Sequence, residues 1–275
     1  MTGSHELEKL EIDLLLEGVH ERYGYDFRNY ARASLVRRIR HRMVVESVET
    51  ISGLLARILH DPECFDGLLS DLSIPVTEMF RDPDFFKAIR ETVIPVLRTH
   101  PYVKIWHAGC ATGEEAYSMA ILLAEADLLS RTRIYATDYN RACLETARQG
   151  IYPADSVEDI EARYCASGGT ASLCDYYHSG YDALKIRDEL RKSIVFAHHN
   201  LAADQSFGEM NLVVCRNVLI YFDRKLQHRV LRLFHQSLCH RGFLGIGPKE
   251  TVGFSNVHDR LEATQGMPSL YRRKD

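Results

Sequence analysis

The stretch Val103-Lys104-Ile105-Trp106-His107-Ala108-Gly109-Cys110-Ala111-Thr112-Gly113-Glu114-Glu115 decides the fold. Val103–Trp106 reads as a short strand, the small residues after it as a turn, and the chain then as a helix through Tyr117, Met119 and Leu122. The same unit recurs downstream. Arg133-Ile134-Tyr135-Ala136-Thr137 is a second strand followed by a helix containing Leu144 and Ala147. Ile194-Val195-Phe196-Ala197 is a third strand and Leu212-Val213-Val214-Cys215 a fourth. An amphipathic helix follows from about Lys225 to Leu238, ended by Arg241-Gly242, before the strand Phe243-Leu244-Gly245-Ile246. Alternating strands and helices predict an α/β domain, a parallel sheet covered on both faces. From about Ala154 to Ser193 the alternation lapses. Gly168-Gly169 and Ser179-Gly180 punctuate β-prone pieces such as Asp175-Tyr176-Tyr177, predicting an inserted β-rich lobe.

Upstream of this domain the first 100 residues read as helices. Leu35, Val36, Ile39 and Met43 form one helical stripe, with Arg37, Arg40 and His41 opposite and Arg38 and Arg42 beside it. Six arginines and no acid lie between Arg28 and Arg42, so this region is strongly positive. Helices are expected over Thr50 to Leu59 and Glu63 to Leu72, the second started by Asp61-Pro62. Another opens at Asp82-Pro83 and runs towards Leu97.

Length and composition limit what the chain can be. At 275 residues, with 45% hydrophobic and 26% charged residues, it can bury one large domain and a small one. No apolar run approaches the roughly 18 residues needed to span a bilayer. The N-terminus shows no apolar signal core, so a cytoplasmic protein is expected, not embedded in a membrane. A net charge of −4 excludes a generally basic nucleic-acid binder but not a local basic patch. Seven cysteines without a CxxC pair argue against a disulfide framework or a structural zinc site. Thirteen histidines without HxxxH or HExxH give no metal expectation.

In an open α/β sheet, ligands bind beyond the carboxyl ends of the strands, and four such ends carry chemistry here. After the first strand the spacing is GxxxG followed by Glu114 and Glu115, not the GxGxxG of dinucleotide sites. Carboxylates there would repel a pyrophosphate and suit a cationic ligand or an amine. The second strand ends in Thr137-Asp138, an acid placed for ribose hydroxyls, and the third in Asn200-Leu201, whose amide could read an adenine edge. The fourth ends in Cys215-Arg216-Asn217, followed by Val218-Leu219-Ile220-Tyr221-Phe222. Each has a plain structural alternative: a tight turn at Gly109, helix-dipole acids at Glu114 and Glu115, a helix cap at Asp138, a core aromatic at Tyr221. Their coincidence at successive strand ends favours a nucleoside-type site.

Two longer motifs are more specific. Ile105 through Ser118 resembles the glycine-loop motif of the chemotaxis-receptor glutamate methyltransferases, the CheR family. Cys215-Arg216-Asn217-Val218-Leu219-Ile220-Tyr221-Phe222-Asp223 is similar to that family's other strong signature, and Val76-Thr77-Glu78-Met79-Phe80-Arg81-Asp82-Pro83 to its linker. The resemblance runs from about Gly18 to the C-terminus. It implies a small all-α N-terminal domain over 1–74, a linker over 75–90 contributing to the cofactor site, and a Rossmann-like S-adenosylmethionine methyltransferase domain over 91–275. The β-rich lobe would be inserted at about 154–193.

The same resemblance implies methyl transfer to glutamates on chemoreceptor signalling helices, leaving S-adenosylhomocysteine. By position, Thr77 and Arg81 would hold the methionine end, Glu115 the amine, Asp138 the ribose, and Asn200 and Leu201 the adenosine. Gly109, Arg216 and Asn217 would line the pocket. Tyr221, with Arg81, would serve the reacting groups. Receptor helices rich in acids would dock on Arg37, Arg38, Arg40 and Arg42. The chain departs from the family at Pro75, at Met79, at Gly247-Pro248-Lys249-Glu250, and in a lobe near Gly168-Gly169 that does not clearly match the tether-binding version. Pro75 and the 247–250 segment support one rival, a catalytically impaired module that binds the cofactor or its product. A methyltransferase of nucleic acid or small molecules and an NAD-dependent oxidoreductase are weaker rivals. The first lacks a base-handling motif and the second has the wrong glycine spacing.

Overall fold

The computed structural model describes residues 2–73, 77–154, 157–180 and 182–274. Pro75 and Val76, one a departure from the family pattern and the other part of the linker motif, lie outside these. Contacts divide the chain into two compact units, Met1–Ile74 with Ile220–Arg229, and Pro75–Leu219 with Val230–Asp275.

The smaller unit is built on four helices, α1 (Thr2–Tyr23), α2 (Arg32–Val45), α3 (Ile51–His60) and α4 (Pro62–Leu72). Their starts follow from capping chemistry. The Thr50 hydroxyl accepts from Gly53 N–H, and the Asp61 carboxylate accepts from Glu63 and Cys64 N–H with Pro62 in the first turn. Leu35 and Ile39 of α2 are buried, as the stripe predicts. Ile220–Arg229 is distant in sequence but is held here by main-chain bonds. Ala31 N–H donates to Tyr221 O at 2.8 Å and Asp223 N–H to Asn29 O at 2.8 Å, while Tyr30 and Phe222 pair edge to face.

The larger unit begins with α5 (Pro83–Ala88), which passes through a π-turn (Ile89–Val93) into α6 (Ile94–Leu97). Its sheet comprises β1 (Val103–Ala108), β2 (Thr132–Asp138), β6 (Ile194–His198), β7 (Met210–Cys215), β8 (Leu238–Ile246), β9 (Leu261–Thr264) and β10 (Met267–Arg273). The order is β6-β2-β1-β7-β8-β10-β9, with the first five parallel and β10 pairing antiparallel to both β8 and β9, so that β10 alone runs against the others. The helices α7 (Glu114–Glu125), α8 (Arg141–Gln149) and α11 (Arg224–Ser237) connect the strands in a Rossmann-like pattern. Every residue of β1 except Lys104 is buried, as a strand covered on both faces requires. The order reverses beside β1, and the register places Ala108, Thr137 and Ala197 at one sheet edge.

Two sequence expectations shift. The helix expected to reach Arg241-Gly242 ends at Ser237, because Leu238–Ile246 is strand throughout. Arg273 donates to the carbonyls of His235 and Leu238, satisfying the helix end, and Arg241 takes a left-handed φ of 57° where the β7–β8 register slips. The lobe between 154 and 193 is less β-rich than its punctuation suggests. Its sheet, β3 (Ile151–Pro153), β5 (Ala183–Ile186) and β4 (Tyr177–Gly180), has three short antiparallel strands, with α10 (Asp188–Lys192) after it. Helix α9 (Val157–Ala166) precedes a 3₁₀ turn over Leu173–Tyr176, so Asp175 and Tyr176 are not strand. Tyr164 of α9 is fully buried and anchors it, its hydroxyl donating to Glu125.

Candidate functional site

The glycine loop between β1 and α7 is tied down at both ends. Gly109 and Cys110 N–H both donate to Thr137 O, at 2.8 and 3.0 Å, and Ala111 N–H donates to the Asp138 carboxylate at 2.9 Å. Gly109 has φ +76°, and a Cβ there would lie 2.5 Å from Val218 Cγ2, so glycine is required on both counts. Asp138 does not cap the following helix. Asn140 does, accepting from Ala142 and Cys143 N–H, while Asp138 accepts from Asn140 N–H at 2.9 Å. Burial raises the Asp138 carboxyl against the pull of these amides. The Tyr139 amide adds a third bond to this carboxylate, and four in-plane lone pairs on two oxygens leave room for one further donor such as a hydroxyl.

The chemically dense part of the site is a buried charge cluster around Arg216. Its side chain is 1% exposed, so it acts through the groups it holds rather than as a surface cation. One guanidinium nitrogen donates to Glu115 Oε2 at 2.7 Å and to Arg81 O at 3.1 Å, and the other to the Asp82 carboxylate. The guanidinium also lies 4.3 Å from the Phe85 ring centre. On the far side of Glu115, Oε1 is 3.2 Å from His107 Nδ1. Burial works against a charged Glu115, but Arg216 and His107 outweigh it and hold the carboxyl down to about 2. Two carboxylates meet the one guanidinium, so acid outnumbers arginine there, the sign that an amine or a sulfonium complements.

Glu114, one residue earlier, is tuned the other way. It accepts from Thr112 Oγ1 at 2.7 Å but has no cation partner among the described residues, and burial pushes its carboxyl up to about 7. The two adjacent acids, equivalent in sequence, are thus a neutralisable group and a permanent anion.

The remaining expected residues are placed as follows. Asn200 Oδ1 accepts from Ala202 N–H at 2.9 Å and Leu201 is 7% exposed, both just beyond β6. Thr77 is half-buried. Arg81 contributes its main-chain carbonyl to the Arg216 cluster. Asn217 adopts a left-handed φ of 59° and donates its N–H to Glu250 Oε2 at 3.1 Å. Tyr221 belongs to the smaller unit, where the Arg38 guanidinium lies 6.0 Å from its ring centre. Of the four arginines expected to meet a receptor helix, Arg42 is only 12% exposed and is committed to Asp71 and Glu46, which counts against a docking role for it. Arg40 pairs with Glu8 and Arg38 donates to Asp71 O, whereas Arg37 is exposed outside these contacts.

Three residues matter here that sequence reasoning did not assign. His107 and Asp82 complete the charge cluster. Glu250 uses one oxygen to accept from both Asn217 N–H and Gly247 N–H, the latter at 2.6 Å, and so fixes the turn after β7. The departure at 247–250 keeps the acid that does this, which is the signal that could have found it.

Residues 10–73 match the CheR methyltransferase all-alpha domain, and residues 75–267 the CheR methyltransferase SAM-binding domain. A Pseudomonas putida protein called "Putative methyltransferase Cher3" is 51% identical over 264 residues, covering 96% of this chain and 97% of that protein. A "Chemotaxis protein methyltransferase" of Listeria innocua is 30% identical over 231 residues, covering 83% and 85%. Its namesake in Salmonella typhimurium is 28% identical over 267 residues, covering 94% and 88%. No helix among the described residues is long and apolar enough to cross a membrane. The chain belongs to the CheR methyltransferase family and carries that family's S-adenosylmethionine-binding domain.

Proposed function

We propose that this chain esterifies glutamate side chains on the signalling helices of chemoreceptors. The observation that carries the reading is the buried Arg216–Glu115 pair with the solvent-facing Asp82 on the same guanidinium, two carboxylates on one cation, which suits a cationic donor. S-adenosylmethionine supplies an already activated methyl group on a sulfonium. The chain's own residues then have two tasks, holding and drying.

Glu115 receives the amine and is kept anionic by Arg216 for that purpose. Asp138 receives ribose hydroxyls, Asn200 and Leu201 the adenosine, and Thr77 and Arg81 the methionine end. Tyr221 orients the acceptor carboxylate through its hydroxyl. A glutamate with pKa near 4.3 is about 99.8% ionised at pH 7, so the acceptor needs no general base. Alignment at near-attack distance and removal of water from the carboxylate account for the remaining work. Acid-rich receptor helices would meet the basic face of α2, where Arg37 and Arg40 are exposed and Arg38 is half-buried, while Arg42, neutralised by Asp71 and Glu46, adds little to that field. The test is transfer of labelled methyl to acidic receptor fragments, followed by alkaline treatment. Base-labile label on glutamate is expected. Label resistant to base, or none at all with the cofactor bound, would refute the assignment.

A further inference from the structure

His107 is buried in β1, 1% exposed, with Nδ1 3.2 Å from Glu115 Oε1. Its other nitrogen, Nε2, is also buried and has no hydrogen-bond partner among the described residues. These two facts fix the proton. A bare Nδ1 would set a lone pair against a carboxylate lone pair, so Nδ1 carries the hydrogen and Nε2 is left unpaired. An unpaired buried nitrogen costs free energy, so the imidazole is not explained as generic filling of the strand. What it gains is one directed, charge-assisted bond to Glu115.

Glu115 is gripped on both oxygens, Oε2 by Arg216 at 2.7 Å and Oε1 by His107. Arg216 alone would leave the carboxylate free to turn about its contact. The second donor fixes its plane. Resting on the reading that this pocket holds S-adenosylmethionine through Glu115, we infer that His107 is a positioning residue for amine recognition. Its Nδ1–H orients Glu115, so it tunes selectivity for ligands bearing the amino-acid end without touching them.

The test compares His107→Asn with His107→Leu. Both have nearly the same size and shape and lose the same ring, but only asparagine carries an N–H on Cγ where Nδ1 stood. Affinities are measured by calorimetry for two probes, S-adenosylhomocysteine and 5′-methylthioadenosine, which lacks the amine and its carboxylate. His107→Leu should weaken S-adenosylhomocysteine about tenfold, equivalent to about 1.4 kcal/mol. His107→Asn should stay within about threefold of wild type. Affinity for 5′-methylthioadenosine should be unchanged in both. Equal S-adenosylhomocysteine affinities for the two variants would overturn the inference. So would parallel loss of both probes, which is the signature of a damaged fold. If the wild-type protein fails to bind S-adenosylhomocysteine, the underlying reading of the pocket falls instead.

Discussion

Replacing Glu114 with glutamine should raise stability at alkaline pH and leave it almost unaltered in mild acid. The side chain is mostly buried with only the Thr112 hydroxyl as partner, and burial lifts its carboxyl from 4.5 to about 7. A carboxyl raised on folding favours the native state while it is protonated. Its contribution is complete below the unfolded value of 4.5 and is lost as pH rises through about 7. Each pH unit between those limits is worth about 1.4 kcal/mol, so the full swing is at most about 3 kcal/mol. Glutamine keeps an acceptor for Thr112 and has no proton to lose. Glu115 adds no slope here, because its depressed carboxyl acts only between about 4.5 and 2, with stability falling as pH drops. Urea unfolding of both proteins from pH 5 to pH 8.5 gives the difference curve directly and cancels the histidines and cysteines common to both. The variant should gain on wild type by about 2–3 kcal/mol across that range, most steeply at about pH 6, midway between the unfolded and folded values, and levelling off above about 7. Parallel stability curves would show that Glu114 ionises freely in the folded protein, and the argument from its burial would fail.

Three further outcomes are expected. Glu250→Ala leaves the N–H groups of Gly247 and Asn217 unsatisfied and should cost about 2–5 kcal/mol in urea unfolding, with Glu250→Gln intermediate; a loss under about 0.5 kcal/mol would show that water replaces the carboxylate. Tyr221→Phe should slow methyl transfer roughly ten- to a hundredfold while S-adenosylhomocysteine affinity holds, and unchanged turnover removes the hydroxyl from the mechanism. Asp138→Ala should weaken S-adenosylhomocysteine by about tenfold or more in calorimetry, since the variant loses both the ribose acceptor and the tether to Ala111; unaltered affinity would exclude the ribose role.

Much of this architecture was legible because its signals are local. The strands β1, β2, β6 and β7 are short, mainly apolar runs ended by small or polar residues, and Thr50 and Asp61-Pro62 mark helix starts by chemistry confined to one turn. What escaped is long-range. Arg42 looks like one more charge on a basic helix, yet its partners Asp71 and the Gly67 carbonyl are 29 and 25 residues away. Asp82 reads as a helix-start residue, and only the fold reveals that it meets Arg216, 134 residues later. Helix α9 was obscured because its sequence buries just Ile160 and Tyr164, too few for a clear helical stripe. Glu114 and Glu115 are indistinguishable until the helix phase sends one to Arg216 and the other to Thr112.

The backbone around the site shows how its geometry is maintained. Among the described residues, seven other than glycine take a left-handed φ, and four of them, Phe80, Asp82, Ala111 and Asn217, sit on the turns around Arg216 and the glycine loop. Such a conformation costs on the order of 1–2 kcal/mol for a residue with a Cβ. Each of the four is matched by a specific anchor. Phe80 N–H donates to Ser118 Oγ at 2.9 Å, the Asp82 carboxylate accepts from Arg216, Ala111 N–H donates to Asp138 and Asn217 N–H to Glu250. A hydrogen bond contributes about 1 kcal/mol net, and more when one partner is charged, so each anchor roughly offsets the strain of its turn. Strain and anchor therefore stand or fall together. Removing Glu250 should release Asn217 from its left-handed well as well as unpair two amides, so the loss in cofactor affinity should exceed what a residue with no place among the pocket's expected contacts would suggest. The turns hold this shape by bonds made within the chain itself.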